Sequence, residues 1–380
     1  MQLLRLSFCI KYNMKSCKFI LLLIIAFLII SCDGLKMRNI FETSVRAKYE
    51  RSFSGSDSLM KNWKAEFSEA ANNKLKITDG FVSTVPVIKS TPALGYSLEL
   101  KKGDLLIVET IKDDPESKIF VDIKDESIIS EKFQSNVITN QKIETFIENN
   151  GWHKVIIQPE IDYRGTFQIK IYTQPSLAFP VAGKGNNNVQ SFWGASRDGG
   201  GRSHEGIDIF APRGTPVVAI ADGFITRTGD QGLGGKQVWL RDGILGNSYY
   251  YAHLDSILTE NGKRVKKGDT LGLVGNTGNA AGGPAHLHFG IYTSGGAVDP
   301  YPFVRIRTVP KHNKISETKI YSEKYIKAGT NLRAGPGSKY ETLSNITEET
   351  LVDILLVNES WYHVKTLDGA EGFVIAERLE

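Results

Sequence analysis

The segment 286–292, His-Leu-His-Phe-Gly-Ile-Tyr, constrains the fold more than any other stretch of the sequence. A β-strand places successive side chains on opposite faces of a sheet, so His286 and His288 share one face. The apolar residues between and after them share the other face and require a core behind the sheet. The chain must therefore contain a sheet that presents two imidazoles side by side, an arrangement suited to holding a metal ion.

Further residues of types that bind metal ions lie upstream, since four of the seven histidines fall between residues 202 and 292. Catalytic zinc takes three protein ligands and keeps a fourth position for water. His204, Asp208 and His288 supply two neutral nitrogens and one carboxylate, which leaves such a site net positive and lowers the pKa of bound water towards about 7. His253 and His286 would remain unligated, available for proton transfer or for a hydrogen bond to an oxyanion.

Other interpretations of these residues were weighed. The segment 204–208, His-Glu-Gly-Ile-Asp, is close to the helical H-E-x-x-H zinc motif, but it ends in aspartate, and Gly206 and Ile207 disfavour a helix. Glu205 therefore need not be a general base. The glycine-rich run 275–283 lacks the Gly-Lys-Ser/Thr ending of a phosphate-binding loop, which favours a mobile loop framing a cleft. A single histidine is more often structural, but four with an aspartate at a fixed offset indicate a site.

The N-terminal residues 1–31 have the pattern of a lipoprotein signal peptide. A basic head precedes the apolar run Phe19–Ile30, which is shorter than the roughly 20 residues that a membrane span needs. The run ends in Ser31-Cys32, similar to a bacterial lipobox, in which the cysteine is lipidated. The alternative is an ordinary signal peptide with a cysteine at its end. The interpretation we prefer makes Cys32 the lipid anchor.

Charge and cysteine usage agree with export. The formal net charge is +4, and the four basic residues of the signal account for it, so nothing in the rest of the chain argues for nucleic-acid binding. No cysteine follows Cys32, so the exported domains must be stabilised by packing without disulfides.

The rest of the chain is predicted to have a mainly β fold and divides into several regions. Residues 32–75 are predicted to be a tether with a short helix over 57–72. Regularly spaced alternating strands predict a β-sandwich over 76–175. Glycine-dense strands, among them 248–253, predict an all-β domain over 179–305, followed by a polar linker at 306–320. Residues 321–380 form a separate small unit.

The all-β domain resembles the LytM/lysostaphin-type zinc endopeptidases of bacterial cell walls. The resemblance implies that His204, Asp208 and His288 bind Zn²⁺, that His253 and His286 are catalytic, and that the reaction is hydrolysis of peptide bonds in peptidoglycan stems or cross-bridges. The matching segments are Phe-Pro-Val at 179–181, His-x-x-x-Asp at 204–208, Ala-Pro-Arg-Gly-Thr-Pro-Val at 211–217, Ala-Asp-Gly at 221–223, Tyr-Ala-His-Leu at 251–254, Val-Lys-Lys-Gly-Asp at 265–269, Gly-Asn-Thr-Gly at 275–278 and His-Leu-His-Phe at 286–289.

Two positions depart from that family's usual pattern. Ala285 is inserted before the His-x-His pair, and Gly290 replaces an acidic residue. Neither change removes a ligand, so both are expected to affect substrate preference.

Residues 321–380 resemble the bacterial SH3-like domain, a small barrel that usually binds cell-wall peptide. The resemblance rests on Asn-Leu-Arg-Ala-Gly-Pro at 331–336, the strand containing Trp361 and Tyr362, and Gly-Phe-Val at 372–374.

Together these features predict an exported, membrane-anchored zinc endopeptidase of the cell envelope that remodels the wall. Its expected partners are peptidoglycan peptides, the membrane reached through Cys32, and a regulatory envelope protein. The sandwich would serve as a spacer or regulator. The alternative is a non-catalytic envelope protein that binds wall peptides or activates a separate hydrolase.

Overall fold

A computed structural model of the chain describes residues 44–87, 92–130, 132–139, 141–243, 246–311 and 324–380. The predicted signal peptide and Cys32 lie outside these residues. The chain divides into two units, Met1–Ser54 and Gly55–Glu380. In the first, helix α1 (Val45–Ser52) begins where the Ser44 side chain accepts the Ala47 N–H at 3.2 Å, an N-cap. No helix among the described residues is both long enough and apolar enough to cross a membrane.

The second unit opens with helix α2 (Asp57–Asn72), over the residues for which the sequence predicts a helix. Its buried Trp63 donates its indole N–H to the carbonyl of Pro159 at 2.9 Å. Gly95 lets the helix approach the sheet closely, because a Cβ there would lie 2.0 Å from the carbonyl oxygen of Ala70.

Residues 81–175 form the predicted sandwich of two antiparallel sheets, ordered β1-β8-β3-β6 and β2-β7-β4-β5. Alternating apolar residues from both sheets make one core. The strands are β1 (Phe81–Val87), β2 (Leu94–Leu100), β3 (Asp104–Lys112), β4 (Ile119–Asp125), β5 (Gln134–Ile138), β6 (Lys142–Phe146), β7 (Gly151–Pro159) and β8 (Gly165–Pro175).

The central all-β region has its own core and ends in the short helix α3 (Tyr301–Val304). Its strands are β9 (Val189–Ser191), β10 (Ser196–Arg197), β11 (Arg202–Ser203), β12 (Ile207–Phe210), β13 (Pro216–Val218), β14 (Gly223–Asp230), β15 (Lys236–Asp242), β16 (Ser248–Ala252), β17 (Leu254–Ile257), β18 (Arg264–Val265), β19 (Thr270–Val274), β20 (His286–Thr293) and β21 (Gly296–Val298). The main sheet is ordered β18-β14-β15-β16-β20-β12-β9, with β21 on β20, while β13-β19-β17 form a second sheet and β10-β11 a short hairpin.

The C-terminal strands continue the sandwich. They are β22 (Lys324–Ile326), β23 (Thr330–Arg333), β24 (Thr342–Ile346), β25 (Thr350–Asn358), β26 (Trp361–Thr366) and β27 (Glu371–Ile375). Strand β25 pairs with β1 at Val357 and Thr84, which joins the order β24-β23-β27-β26-β25 to the first sandwich sheet. The mainly β fold class is thus confirmed. The C-terminal strands have a core of their own and also pack on the sandwich.

A buried polar chain crosses the contact between the sandwich and the C-terminal strands. His363 is fully buried, with Nδ1 2.8 Å from the Tyr96 hydroxyl and Nε2 2.8 Å from Glu371 Oε1. Burial raises the pKa of Glu371, but the hydrogen bond with His363, together with the charges of His363 and Lys365 and a hydrogen bond with Asn73, holds that pKa below its ordinary value. The Glu371 carboxylate therefore accepts from Nε2–H, and Nδ1 accepts from the Tyr96 hydroxyl.

The first residues of the predicted linker are fixed on the sandwich. Arg307 donates from Nη2 to Asp104 Oδ1 at 2.6 Å, and its carbonyl accepts from the Gln174 side chain at 3.1 Å. Linker residues 312–320 lie outside the described part of the chain.

Candidate active site

Three adjacent strands bring the predicted site residues together. In the main sheet β20 lies between β12 and β16, and His288 pairs with Asp208 on one side and Ala252 on the other. The strand alternation is as the sequence predicts, since Leu287 and Phe289 are fully buried in the core while His286 and His288 face the cleft. Strand pairing therefore aligns a carboxylate with an imidazole across two β-strands.

His204, Asp208 and His288 form a compact cluster of potential metal ligands. His204 Nε2 lies 3.0 Å from Asp208 Oδ1 and 3.0 Å from His288 Nδ1, and His288 Nδ1 lies 3.0 Å from the same carboxylate oxygen. Ligand atoms held about 2.0–2.1 Å from a tetrahedral zinc lie about 3.3 Å from one another. The triangle of donor atoms is thus the right size and donor type for zinc.

The surroundings orient the rings of both histidines in the cluster. His204 Nδ1 donates to the carbonyl of Phe192 at 2.9 Å, so in the neutral ring Nε2 carries the lone pair that faces the cluster. Gly206 leaves room for the second ring, because a Cβ there would lie 2.6 Å from His288 Cε1. The glycine that argues against a helix in the sequence is therefore needed beside His288.

The environment of Asp208 keeps its side chain in the carboxylate form, which can bind a cation. Burial raises its pKa, but hydrogen bonds with His204 and His288, together with the electrostatic attraction of the two rings, hold that pKa far below the usual range. Burial also lowers the pKa of His288. Both shifts favour the deprotonated forms that bind metal.

His253 and His286 lie beside this cluster without joining it. Their ring centroids are 5.0 Å apart, and that of His253 is 5.9 Å from that of His288. His253 Nδ1 lies 2.8 Å from the carbonyl of Thr277, and His286 Nδ1 lies 2.9 Å from that of Pro284. Each neutral ring thus donates Nδ1–H to the backbone and keeps Nε2 available.

His253 has an unusual backbone conformation. Its φ of 63° lies in the left-handed region, where a non-glycine residue costs about 1–3 kcal/mol. The predicted strand 248–253 therefore ends at Ala252. Burial, assisted by the charge of nearby His286, lowers the pKa of His253 to about 4, so this imidazole is neutral at pH 7.

The cluster lies in a cleft of about 540 Å³, whose lining residues fall between Ser191 and Tyr292. Glu205 lines the cleft but is exposed and is not part of the ligand cluster. Asn279 and Ala280, from the glycine-rich loop, also line it, which agrees with a loop that frames a cleft. Among the lining residues none comes from the sandwich.

Sequence reasoning did not identify Arg197. Its Nη2 donates to Asp208 Oδ2 at 2.6 Å and to Ser191 Oγ at 2.7 Å, so one Asp208 oxygen faces the two histidines and the other the guanidinium. The hairpin β10-β11 places Arg197 there, and two-residue strands leave no periodic pattern in a sequence.

Arg197→Ala should weaken zinc binding about 10- to 100-fold, because partners of metal-ligating carboxylates orient the ligand. Competition with a zinc-binding dye measures the affinity, and Arg241→Ala, which removes an exposed arginine from the same domain, is the control. An unchanged zinc affinity in Arg197→Ala would show that Asp208 holds its orientation without the guanidinium.

Comparison with known proteins agrees with this geometry. Residues 202–300 match peptidase family M23, and residues 328–380 match the bacterial SH3 domain. The L-Ala–D-Glu endopeptidase of Bacillus subtilis is 37% identical over 141 residues, which cover 34% of this chain and 43% of that protein. The peptidoglycan DD-endopeptidase ShyA of Vibrio cholerae is 37% identical over 98 residues, which cover 25% of this chain and 22% of that protein. This chain therefore spans less than half the length of these curated relatives.

Among solved structures, the catalytic domain of lysostaphin from Staphylococcus simulans is 33% identical, with a TM-score of 0.28, and the match covers 31% of this chain and 92% of that one. Both resemblances drawn from the sequence are confirmed by the family matches: the chain carries a LytM/lysostaphin-type peptidase M23 domain followed by a bacterial SH3 domain. Zinc is the cofactor that the family and the His/Asp/His cluster together indicate.

Proposed function

We propose that this chain, with its peptidase M23 domain, is a zinc endopeptidase that hydrolyses peptide bonds in peptidoglycan stems or cross-bridges. The observation that carries the proposal is the meeting of three metal-ligand atoms and two further imidazoles in one cleft. A structural metal site is closed by its fourth ligand, whereas three ligands facing a cleft leave a coordination position open to substrate and water.

His204, Asp208 and His288 would hold the ion. When bound, zinc supplies a Lewis acid and lowers the pKa of a coordinated water. The chain itself contributes one negative charge to the ligand set, so the loaded site keeps a net positive charge. That charge suits the oxyanion that develops during peptide hydrolysis.

His253 and His286 would carry the proton transfers. Each has Nδ1 tied to a backbone carbonyl and Nε2 available, so each can accept a proton at that atom and return it to the leaving amine. While protonated, either ring can also donate a hydrogen bond to the oxyanion. Their 5.0 Å separation lets one ring relay the proton while the other stabilises charge.

The relatives' names do not agree on one bond. They include an L-Ala–D-Glu endopeptidase, DD-endopeptidases and a glycyl-glycine endopeptidase, so the proposal is limited to peptides of the wall. The SH3 domain would bind wall peptide, and the sandwich would serve as a spacer or regulator, acted on by an envelope partner.

The proposal includes an anchor at Cys32, which lies outside the described residues. A lipid there would hold the enzyme at a membrane and limit its reach to nearby wall. Mass spectrometry of the protein recovered from its own cells tests this part, and an unmodified or absent Cys32 would reject it.

The catalytic proposal is tested on the soluble form, residues 33–380, by zinc analysis and by digestion of isolated peptidoglycan with and without a chelator. We expect one zinc per chain and release of cut stem peptides that stops with chelator and resumes with added zinc. The fragments identify the bond. Bound zinc without cleavage would favour the non-catalytic envelope protein, and absence of both would reject the metal site.

A further inference from the structure

A row of aromatic rings leads out of the cleft from a metal ligand. The ring centroid of Tyr250 is 5.8 Å from that of His288, and Trp239 follows 4.5 Å further on. Tyr292 closes the group, 5.2 Å from Trp239 and 6.5 Å from Tyr250. We call Trp239, Tyr250 and Tyr292 the aromatic platform. Both tyrosines line the catalytic cleft and also a neighbouring depression that contains Trp239, so the two surfaces are continuous.

Gly290 makes room for this platform. A Cβ at that position would lie 3.1 Å from Tyr292 Cε2 and 3.2 Å from the carbonyl oxygen of Glu205, so a larger side chain would require these neighbours to shift by a few tenths of an ångström. This is one of the two positions at which the sequence departs from the family's pattern. The loss of the acidic residue is thus linked to an aromatic surface beside the metal ligands.

The far end of the platform carries a positive charge. The Arg227 guanidinium lies 5.7 Å from the centre of the Trp239 ring, within cation–π range. Arg227 is exposed, and within the described residues it forms no ion pair. The Trp239 indole Nε1 is inaccessible and has no hydrogen-bond partner among those residues, so an incoming molecule would contact the ring face of Trp239 and not its N–H.

We infer that the aromatic platform and Arg227 form a substrate subsite that selects wall peptides by a carboxylate. Apolar parts of the peptide would pack on the three rings, and a carboxylate of the peptide would pair with the Arg227 guanidinium. The path from the His288 ring through Tyr250 and Trp239 to the Arg227 guanidinium has the length of about four or five extended residues of a peptide. The recognised carboxylate therefore lies a few residues from the scissile bond. This inference rests on the proposed hydrolytic function and assigns part of its specificity.

The test compares cross-linked stem peptides in two forms, with carboxylates free and with carboxylates converted to carboxamides. Arg227→Gln should raise KM about fivefold for the free-carboxylate form and leave KM for the carboxamide form unchanged, as expected for an exposed ion pair. Trp239→Ala should raise KM about tenfold for both forms. In both variants kcat and zinc content should stay near the wild-type values, because neither residue contacts a metal ligand.

Phe224→Ala, which removes an exposed ring from the same strand as Arg227, is the matched control. Unchanged KM values in Arg227→Gln, or an equal rise for both peptide forms, would overturn the carboxylate assignment. Arg227→Gln alters an exposed side chain, so its result holds even if Trp239→Ala folds poorly.

Calorimetric binding of the free-carboxylate peptides in the presence of chelator separates this inference from the hydrolytic one. If the wild-type protein binds these peptides more tightly than Arg227→Gln in chelator, and the zinc-loaded wild-type protein cuts no bond in them, the subsite stands and the hydrolytic function fails. If cleavage proceeds and both proteins bind equally, the subsite fails and the hydrolytic function stands.

Discussion

Asp208→Ala should empty the metal site, whereas His253→Ala should leave zinc bound and still reduce kcat by about 10²- to 10⁴-fold. The Asp208 carboxylate lies 3.0 Å from His204 and from His288, so its loss would remove one of the three proposed ligands and the negative charge that would balance the ion. His253 contributes no atom to the ligand cluster, so we expect its substitution to affect only proton transfer. Elemental analysis after dialysis and the rate of peptidoglycan digestion give the two readouts.

Glu205→Ala is the matched control for this pair. Glu205 follows a metal ligand and would be the general base if the segment 204–208 acted as a helical zinc motif, but the segment leads into strand β12 and Glu205 is exposed. We expect Glu205→Ala to keep its zinc and a kcat within about threefold of wild type, since loss of a general base costs far more. A large loss of kcat in Glu205→Ala with activity retained in His253→Ala would reverse the assignment of the base.

The part of the candidate metal cluster on strand β20 was predictable, because it depends on a local rule. Strand alternation alone places His286 and His288 on one face, and the buried Leu287 and Phe289 fix that strand against the core. Residue types made Asp208 and His204 candidate ligands, and the family resemblance then favoured them over the other acidic residues and histidines of the chain. Arg197 was not predictable, since it reaches Asp208 from a short hairpin whose position depends on the surrounding loops.

The local conformation of His253 shows a second limit. Its alternating neighbours predict a strand that includes it, yet His253 turns into the left-handed region and its backbone N–H donates to the carbonyl of Gly234 at 2.8 Å. A strained backbone of this kind is maintained by tertiary contacts and not by the preference of the residue. The sequence therefore identifies His253 as a candidate site residue better than it predicts the backbone conformation of His253.

The docking of the C-terminal strands was also beyond sequence reasoning. The resemblance to a bacterial SH3-like domain describes residues 321–380 as a separate unit, but Leu355, Leu356 and Phe373 belong to the sandwich core. Contacts such as that between Tyr96 and His363 join residues far apart in the chain, and no periodic pattern encodes such a pairing. The C-terminal strands therefore have a core of their own and also contribute these three side chains to the core of the sandwich.

That shared core makes Phe373→Ala the substitution with the largest expected effect on stability. The Phe373 ring is fully buried, stacks on His363 at 5.1 Å and lies 6.0 Å from the Tyr96 ring. Removing a buried phenylalanine costs about 3–5 kcal/mol through lost burial and the cavity left behind. We expect the free energy of unfolding, measured by urea denaturation, to fall by that amount.

The way in which this loss is distributed tests the coupling of the two regions. Two probes are used, Trp63 in helix α2 and Trp361 in the C-terminal strands, each observed in a protein whose other tryptophans are replaced by phenylalanine. We expect the fluorescence of both probes to change in one unfolding transition, with and without Phe373→Ala. Phe224→Ala, at an exposed ring, should change stability by less than about 0.5 kcal/mol. Zinc content of Phe373→Ala in the folded range should equal that of wild type, because the metal ligands belong to a domain with a separate core. Two separated transitions, or a loss below about 1 kcal/mol, would mean that the C-terminal strands pack on the sandwich without stabilising it.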